Sequence, residues 1–339
     1  VSPSLTRDVR RLLGPADPAG GPPLTGPHDR RADLDRILAG AQATEARRAR
    51  PVGRRLVMAA AALLALVLAG LQFVSVPQPA FAATPPLLRY SGGDGSARDA
   101  LTAIAAKAAA APDPARVGDY EHLVIQSWGL WTQVDGEYVR SAVIPSRLES
   151  WRGPDNSGRR ATRFEEPQFS STGREWLWRA QNLFGDGLDP TSEDYRAGQF
   201  PAMWADLPPT GDVDAWLHVG HPRENGPYET IVAVTDLARE RLLTPAVRAA
   251  VLRVVAQLPG LTLDGSVTDR AGRTGTAFSV TTDHSGLPTR HTLIVDPVTG
   301  VLLGYEQMLT TDAGKLAVRV PAVIGYETYL TADWTTLPR

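Results

Sequence analysis

Residues 56–76 read LVMAAAALLALVLAGLQFVSV, a run without charge whose only strongly polar side chain is Gln72. A helix needs about 20 apolar residues to cross a hydrocarbon core ~30 Å thick. Arg47, Arg48, Arg50, Arg54 and Arg55 crowd its start, and no charge follows it until Arg89. Basic flanks stay on the cytoplasmic side. The pattern predicts a single-pass protein of the cell membrane, with the N-terminus cytoplasmic and the C-terminal region extracytoplasmic. A buried helix is the first alternative. Cleavage at the small-x-small site Ala80-Phe81-Ala82 is the second. The length of the run and the long segment before it favour an uncleaved anchor.

The span divides the chain into a basic tail (1–55), the span (56–76), a Pro- and Gly-containing linker (77–93) and an outer domain (94–339). The tail has 11 arginines against 6 acidic residues, which leaves the remainder net acidic in a chain of formal charge -2. Leu5, Val9, Leu12 and Leu13, then Leu34, Ile37, Leu38 and Ala41, recur at helical spacing on either side of GPADPAGGPPLTGP. Short helices of this kind are marginal alone and need a partner or a membrane surface to order. The alternative is a disordered juxtamembrane tail.

The chain contains no cysteine, so disulfides, thiolate metal sites and cysteine nucleophiles are excluded. The outer domain must hold together by packing. Its pattern predicts helices at Ser96–Ala111, Glu175–Phe184, Ser192–Phe200, Tyr228–Arg241 and Thr244–Leu258. In the last of these, Thr244 suits the cap, Pro245 the first turn and Gly260 the stop. Alternating stretches predict strands at Tyr120–Trp131, Val134–Ile144, Arg147–Arg152 and Arg159–Phe164. Further strands are predicted at Leu261–Thr268, Thr276–Thr282, Thr289–Val295, Val301–Leu309 and Val318–Tyr329, the last at an edge because of Pro321. Strands, then helices, then strands predict an α+β domain: an antiparallel, curved, half-barrel-like sheet with covering helices, preceded by one transmembrane helix.

No nucleophile elbow or phosphate loop is present, and no cofactor motif. His218 and His221 lie in LHVGHPRENGP, predicted as a strand entering a loop, with no third ligand at a metal-site spacing. His122 and His291 alternate with apolar residues and read as sheet-face residues. Glu165 and Glu166 precede Pro167 and read as a solvated loop end. The sequence therefore predicts no catalytic residues, no metal and no cofactor. A net acidic outer domain argues against nucleic acid.

Seven of the 8 tryptophans fall between residues 128 and 216. A curved sheet with aromatics on its concave face, covered by helices, can hold an acyl chain. Trp128, Trp131, Trp151, Trp176 and Trp178 are the candidate apolar ligand-lining residues; core packing is the alternative. Trp128 and Trp131, at odd spacing, should face opposite sides of their strand.

The order of parts carries a resemblance, together with Thr244-Pro245…Val254-Val255-Ala256-Gln257-Leu258-Pro259-Gly260, Asp269-Arg270-Ala271-Gly272-Arg273 and the segment from Leu293 to Gly304. The chain resembles a family of actinobacterial single-pass membrane proteins often encoded beside extracytoplasmic-function sigma factors. Its outer domain is more loosely similar to LolA-like lipoprotein carriers and RseB-like envelope sensors. These motifs are turns and a helix, so the resemblance implies no catalytic residues. It implies a non-enzymatic envelope protein with a sensory or regulatory role, whose outer domain binds a ligand or partner and whose tail meets a cytoplasmic regulator such as a sigma factor. The other reading is a LolA-like carrier or chaperone for lipid-modified or apolar molecules, with a lipid or lipoprotein as partner.

Overall fold

The computed structural model describes residues 84–338 except 136–137, 169–187, 205, 207, 209–211 and 285. All described residues belong to one compact unit, Pro77–Arg339. The tail, the span, the arginines flanking it, and the predicted helix Glu175–Phe184 with Trp176 and Trp178 lie outside the described residues. Among the described residues, no helix is long and apolar enough to cross a membrane.

Among the described residues the first element is helix α1, Ala97–Ala109. Ser96 caps it, its hydroxyl accepting from the Asp99 amide at 3.2 Å. Strands β1 (Tyr120–Asp135), β2 (Tyr138–Arg152), β3 (Gly158–Phe164) and β4 (Thr191–Tyr195) follow. The helical layer continues with α2 (Val213–Leu217), a 3-10 turn at Arg223–Asn225, α3 (Pro227–Glu240) and α4 (Pro245–Val255). Strands β5 (Thr262–Thr268), β6 (Thr274–Thr282), β7 (Thr289–Val295), β8 (Leu302–Leu309) and β9 (Ala322–Thr335) complete the unit.

Among the described residues the strands form one open antiparallel sheet of nine, ordered β4-β3-β2-β1-β9-β8-β7-β6-β5. It is two meanders joined where β9 pairs with β1. The α+β class and the antiparallel sheet expected from the sequence are both present.

Four local expectations are corrected. The predicted edge strand around Pro321 is central: β9 lies between β8 and β1, and Pro321 stands just before its first residue, outside the ladder. The stretch predicted as a helix at Ser192–Phe200 instead holds β4, since pairing of Thr191–Tyr195 with β3 outweighs a weak local helix preference. The segment before His218 is helix α2 rather than a strand, with His218 at its C-cap. The two strands predicted on either side of Pro145 are one, β2. The Pro145 carbonyl accepts from the Glu165 amide, beyond the last residue of β3. The donor that proline lacks would have pointed the same way, so no bond to β1 is lost.

The helices cover one face of the sheet. Leu101 and Ile104 of α1, Ile231 and Leu237 of α3, and Val251, Leu252 and Val255 of α4 form one core with Ile125, Phe278, Leu293 and Tyr329 of the strands. Each fully buried apolar side chain of this size contributes about 1.5–3 kcal/mol. On the other face Val267, Ala277, Ile294 and Leu303 are covered by Leu88 and Tyr90. The stretch read as a linker thus lies against the sheet from about residue 86, and Ser91 exchanges backbone bonds with Ser266 at 3.0 and 2.7 Å. Covering on both faces explains why Ala277 to Val280 are all buried rather than alternating.

Candidate functional site: an apolar cavity beneath the helices

Between the sheet and its helical layer lies a cavity of about 360 Å³. Leu293, Val295 and Tyr329 line it from the sheet, and Val234, Val251 and Leu252 from α3 and α4. The chain after α1 contributes Ala111, Pro112 and Pro114. Small-ligand sites span ~300–1,000 Å³ and are mostly apolar with a few placed polar groups. Here the charged groups are three arginines, Arg241, Arg248 and Arg273, and Thr299 and Thr331 add hydroxyls.

The local sequence accounts for the walls. Thr244 caps α4, its hydroxyl accepting from the Val247 amide at 3.4 Å, and Pro245 fixes the first turn. The β7–β8 connection bends because the Asp296 carboxylate accepts from the Val298 and Thr299 amides at 2.8 and 2.7 Å. Burial alone would raise the Asp296 carboxyl, but those amides and the Arg248 guanidinium hold it below its ordinary value. Gly300 ends the turn with φ +68°; a Cβ there would meet Ala108 and Leu252 at 2.8 Å. Only glycine lets the turn close so tightly on α1 and α4.

Arg241 is buried and paired with Glu121, whose two oxygens accept from Nε and Nη2 at 3.1 and 2.9 Å. Its Nη1 also donates to the Trp204 carbonyl at 2.8 Å. Arg273 is held by Asp269 and donates to the carbonyls of Tyr329 and Leu303 at 2.7 and 2.6 Å. Arg248 is different. Its Nη1 donates to the Leu243 carbonyl at 3.4 Å, and its Nε is buried without a partner.

A polar network runs under α3 beside the apolar part. His221, 5% exposed, bonds Glu229 at 2.9 Å through Nδ1, with Trp204 stacked on its ring. Arg239 pairs with Asp236 and makes a bidentate contact with Glu327. The Gln307 amide donates to the Tyr305 hydroxyl at 2.9 Å, and that hydroxyl meets His291 Nδ1 at 2.8 Å. The Tyr305 proton therefore points at Nδ1, and the buried Nε2 of His291 finds no partner. Burial pushes the His291 imidazole down to about 4, so it is neutral.

One cluster has the residue types of a nucleophile, base and orienter. Thr230 Oγ1 lies 2.9 Å from His218 Nε2, and Asp214 Oδ1 lies 3.2 Å from Nδ1. The Nδ1 bond goes instead to the Asp214 main-chain carbonyl at 2.8 Å, closing the end of α2. Thr230 is 4% exposed on α3, so its hydroxyl is shut away from any substrate. This is a clamp between α2 and α3. Among the described residues, no group of three or more metal-ligating side chains converges.

The three candidate tryptophans among the described residues fall elsewhere. Trp128 stacks on Tyr326, and Trp151 stacks on His122, on the sheet face turned away from the helices. The strand pleat sets Trp131 on the opposite face from Trp128. The described lining of the cavity includes none of the three. The residues that do line it come from several distant segments, and nothing in the sequence marks them as a set. Arg248 carried a faint signal, a cation set beside the stripe Val247 and Val251. No protein-family model and no curated protein matches the chain.

Proposed function

We propose that the chain is a membrane-anchored, non-enzymatic envelope protein whose outer domain binds an apolar molecule in this cavity. The carrying observation is the cavity itself: about 360 Å³, apolar on sheet and helix sides. Small-ligand sites are mostly apolar spaces of about this size, and a hydrocarbon chain fits such a lining. The anchor and orientation rest on the uncharged run 56–76 and its arginine flank.

In this reading the sheet curves as a half-barrel around the ligand, as in LolA-like carriers and RseB-like sensors. The role is sensory or regulatory: ligand occupancy is passed across the span to the basic tail, which meets a cytoplasmic regulator such as a sigma factor. A carrier role for lipid-modified or apolar molecules uses the same cavity and is the second reading.

Photolabelling tests the shared premise. The full chain in lipid vesicles is exposed to a diazirine-bearing fatty acid, and labelled peptides are mapped. Labelling in residues 243–255 and 293–302 is the expected result. Label confined to 56–76 would remove the ligand-binding reading. A pull-down with residues 1–55 that recovers no polymerase-associated protein would count against the regulatory reading and leave the carrier.

A further inference from the structure

Of the three guanidiniums at the cavity, two are fully engaged by carboxylates and carbonyls. Arg248 enters no ion pair among the described residues, and its buried Nε has no acceptor. Asp296, the carboxylate that acts on it, already has Oδ1 bound to two backbone amides. Burial pulls the Arg248 pKa down, the mark of a cation removed from water without full compensation. An anion arriving beside it would gain a charge-assisted bond in a low-dielectric setting.

Building on the reading of the cavity as an apolar-ligand site, we propose that its ligand is a single-chain anionic amphiphile. Its carboxylate or phosphate pairs with Arg248 and its chain lies between α4 and strand β7. With Arg241 and Arg273 paired to carboxylates, the guanidinium of Arg248 disfavours a cationic head by charge. The apolar lining excludes an acidic peptide, whose backbone would have no partners there. A volume of about 360 Å³ sits near the lower end of small-ligand sites and suits one chain rather than two. A fatty acid and a lysophospholipid offer the same acceptor chemistry to Arg248.

The full chain in phosphatidylcholine vesicles is labelled with a diazirine fatty acid and, separately, with the matching fatty alcohol. Cavity labelling is normalised to labelling of the vesicle lipid. The wild type should favour the acid about tenfold or more, the scale of one charge-assisted hydrogen bond. Arg248→Gln should remove the preference and leave the alcohol unchanged; Arg248→Lys should keep most of it. Equal labelling by acid and alcohol in the wild type overturns the anionic head and leaves the apolar cavity reading standing. No cavity label from either probe overturns both. Should Arg248→Gln lose its circular-dichroism melt, the wild-type comparison and Arg248→Lys decide. Competition by palmitate and by lysophosphatidate separates the sources, since the better competitor carries the native head. If neither competes, the proposal fails.

Discussion

Glu121 and Arg241 stand 120 positions apart and meet in the interior, with the Leu242 amide also donating to Glu121 at 2.9 Å. Removing one member of a buried pair strands the other charge and costs about 3–5 kcal/mol. Glu121→Ala should therefore destabilise the domain by that amount in thermal or urea melts. Adding Arg241→Met should recover much of the loss, because a well-packed apolar pair replaces the ions. His291 sets a pH dependence. Its folded pKa, about 4, lies below the ordinary imidazole value, so the unfolded chain takes up its proton first. The stability from keeping it neutral is complete above about pH 6.5 and is lost as pH falls toward 4, about 3 kcal/mol in all. His291→Gln should flatten that slope in urea titrations across the same window. The bond chain from Gln307 through Tyr305 to His291 was invisible in the sequence, because three alternating strand residues become a chain only when two strands register.

Turns and long helices were the most legible elements. Gly260, Gly286 and Gly300 take the positive φ that their turns demand, and the Thr244-Pro245 start of α4 is where the cap motif placed it. Strand β4 was illegible because its stability comes from pairing with β3 rather than from its own exposed side chains. The cavity was illegible for a related reason: a void is a property of the space between elements, and no single segment encodes it. Trp128, Trp131 and Trp151 lie outside the described lining because aromatic clustering in sequence says nothing about which face of a sheet receives the rings. Gly300→Ala should cost about 1–3 kcal/mol from the left-handed backbone, with further loss from its contacts with Ala108 and Leu252. A melt of the variant against wild type reads this directly. Ala332, exposed at the cavity lining, offers the reverse experiment. Ala332→Trp should occlude the space and reduce cavity photolabelling severalfold, with the melting temperature little changed.

At the scale of the whole molecule, the α+β class and the antiparallel sheet were legible, since periodicity and turn spacing survive without tertiary detail. The strand order was not, because nothing local foretells that β9 returns to β1. The membrane reading makes a separate demand. The intact chain should stay with membranes after alkaline carbonate extraction, and protease added to the extracytoplasmic side should digest the C-terminal domain. Recovery in the carbonate-soluble fraction would remove the anchor.

The seam between β1 and β9 also sets a timetable. Thr328 reaches the Gln126 carbonyl across 202 positions of chain. Strands β2 to β4 can zip onto β1 while it is still emerging, but its other flank waits, unpaired, until some two hundred further residues have been made and moved. A chain cut before Ala322 leaves two incomplete ribbons, each with a raw hydrogen-bonding border open to other copies. Such a product should clump rather than fold. That border stays open to other copies until β9 arrives.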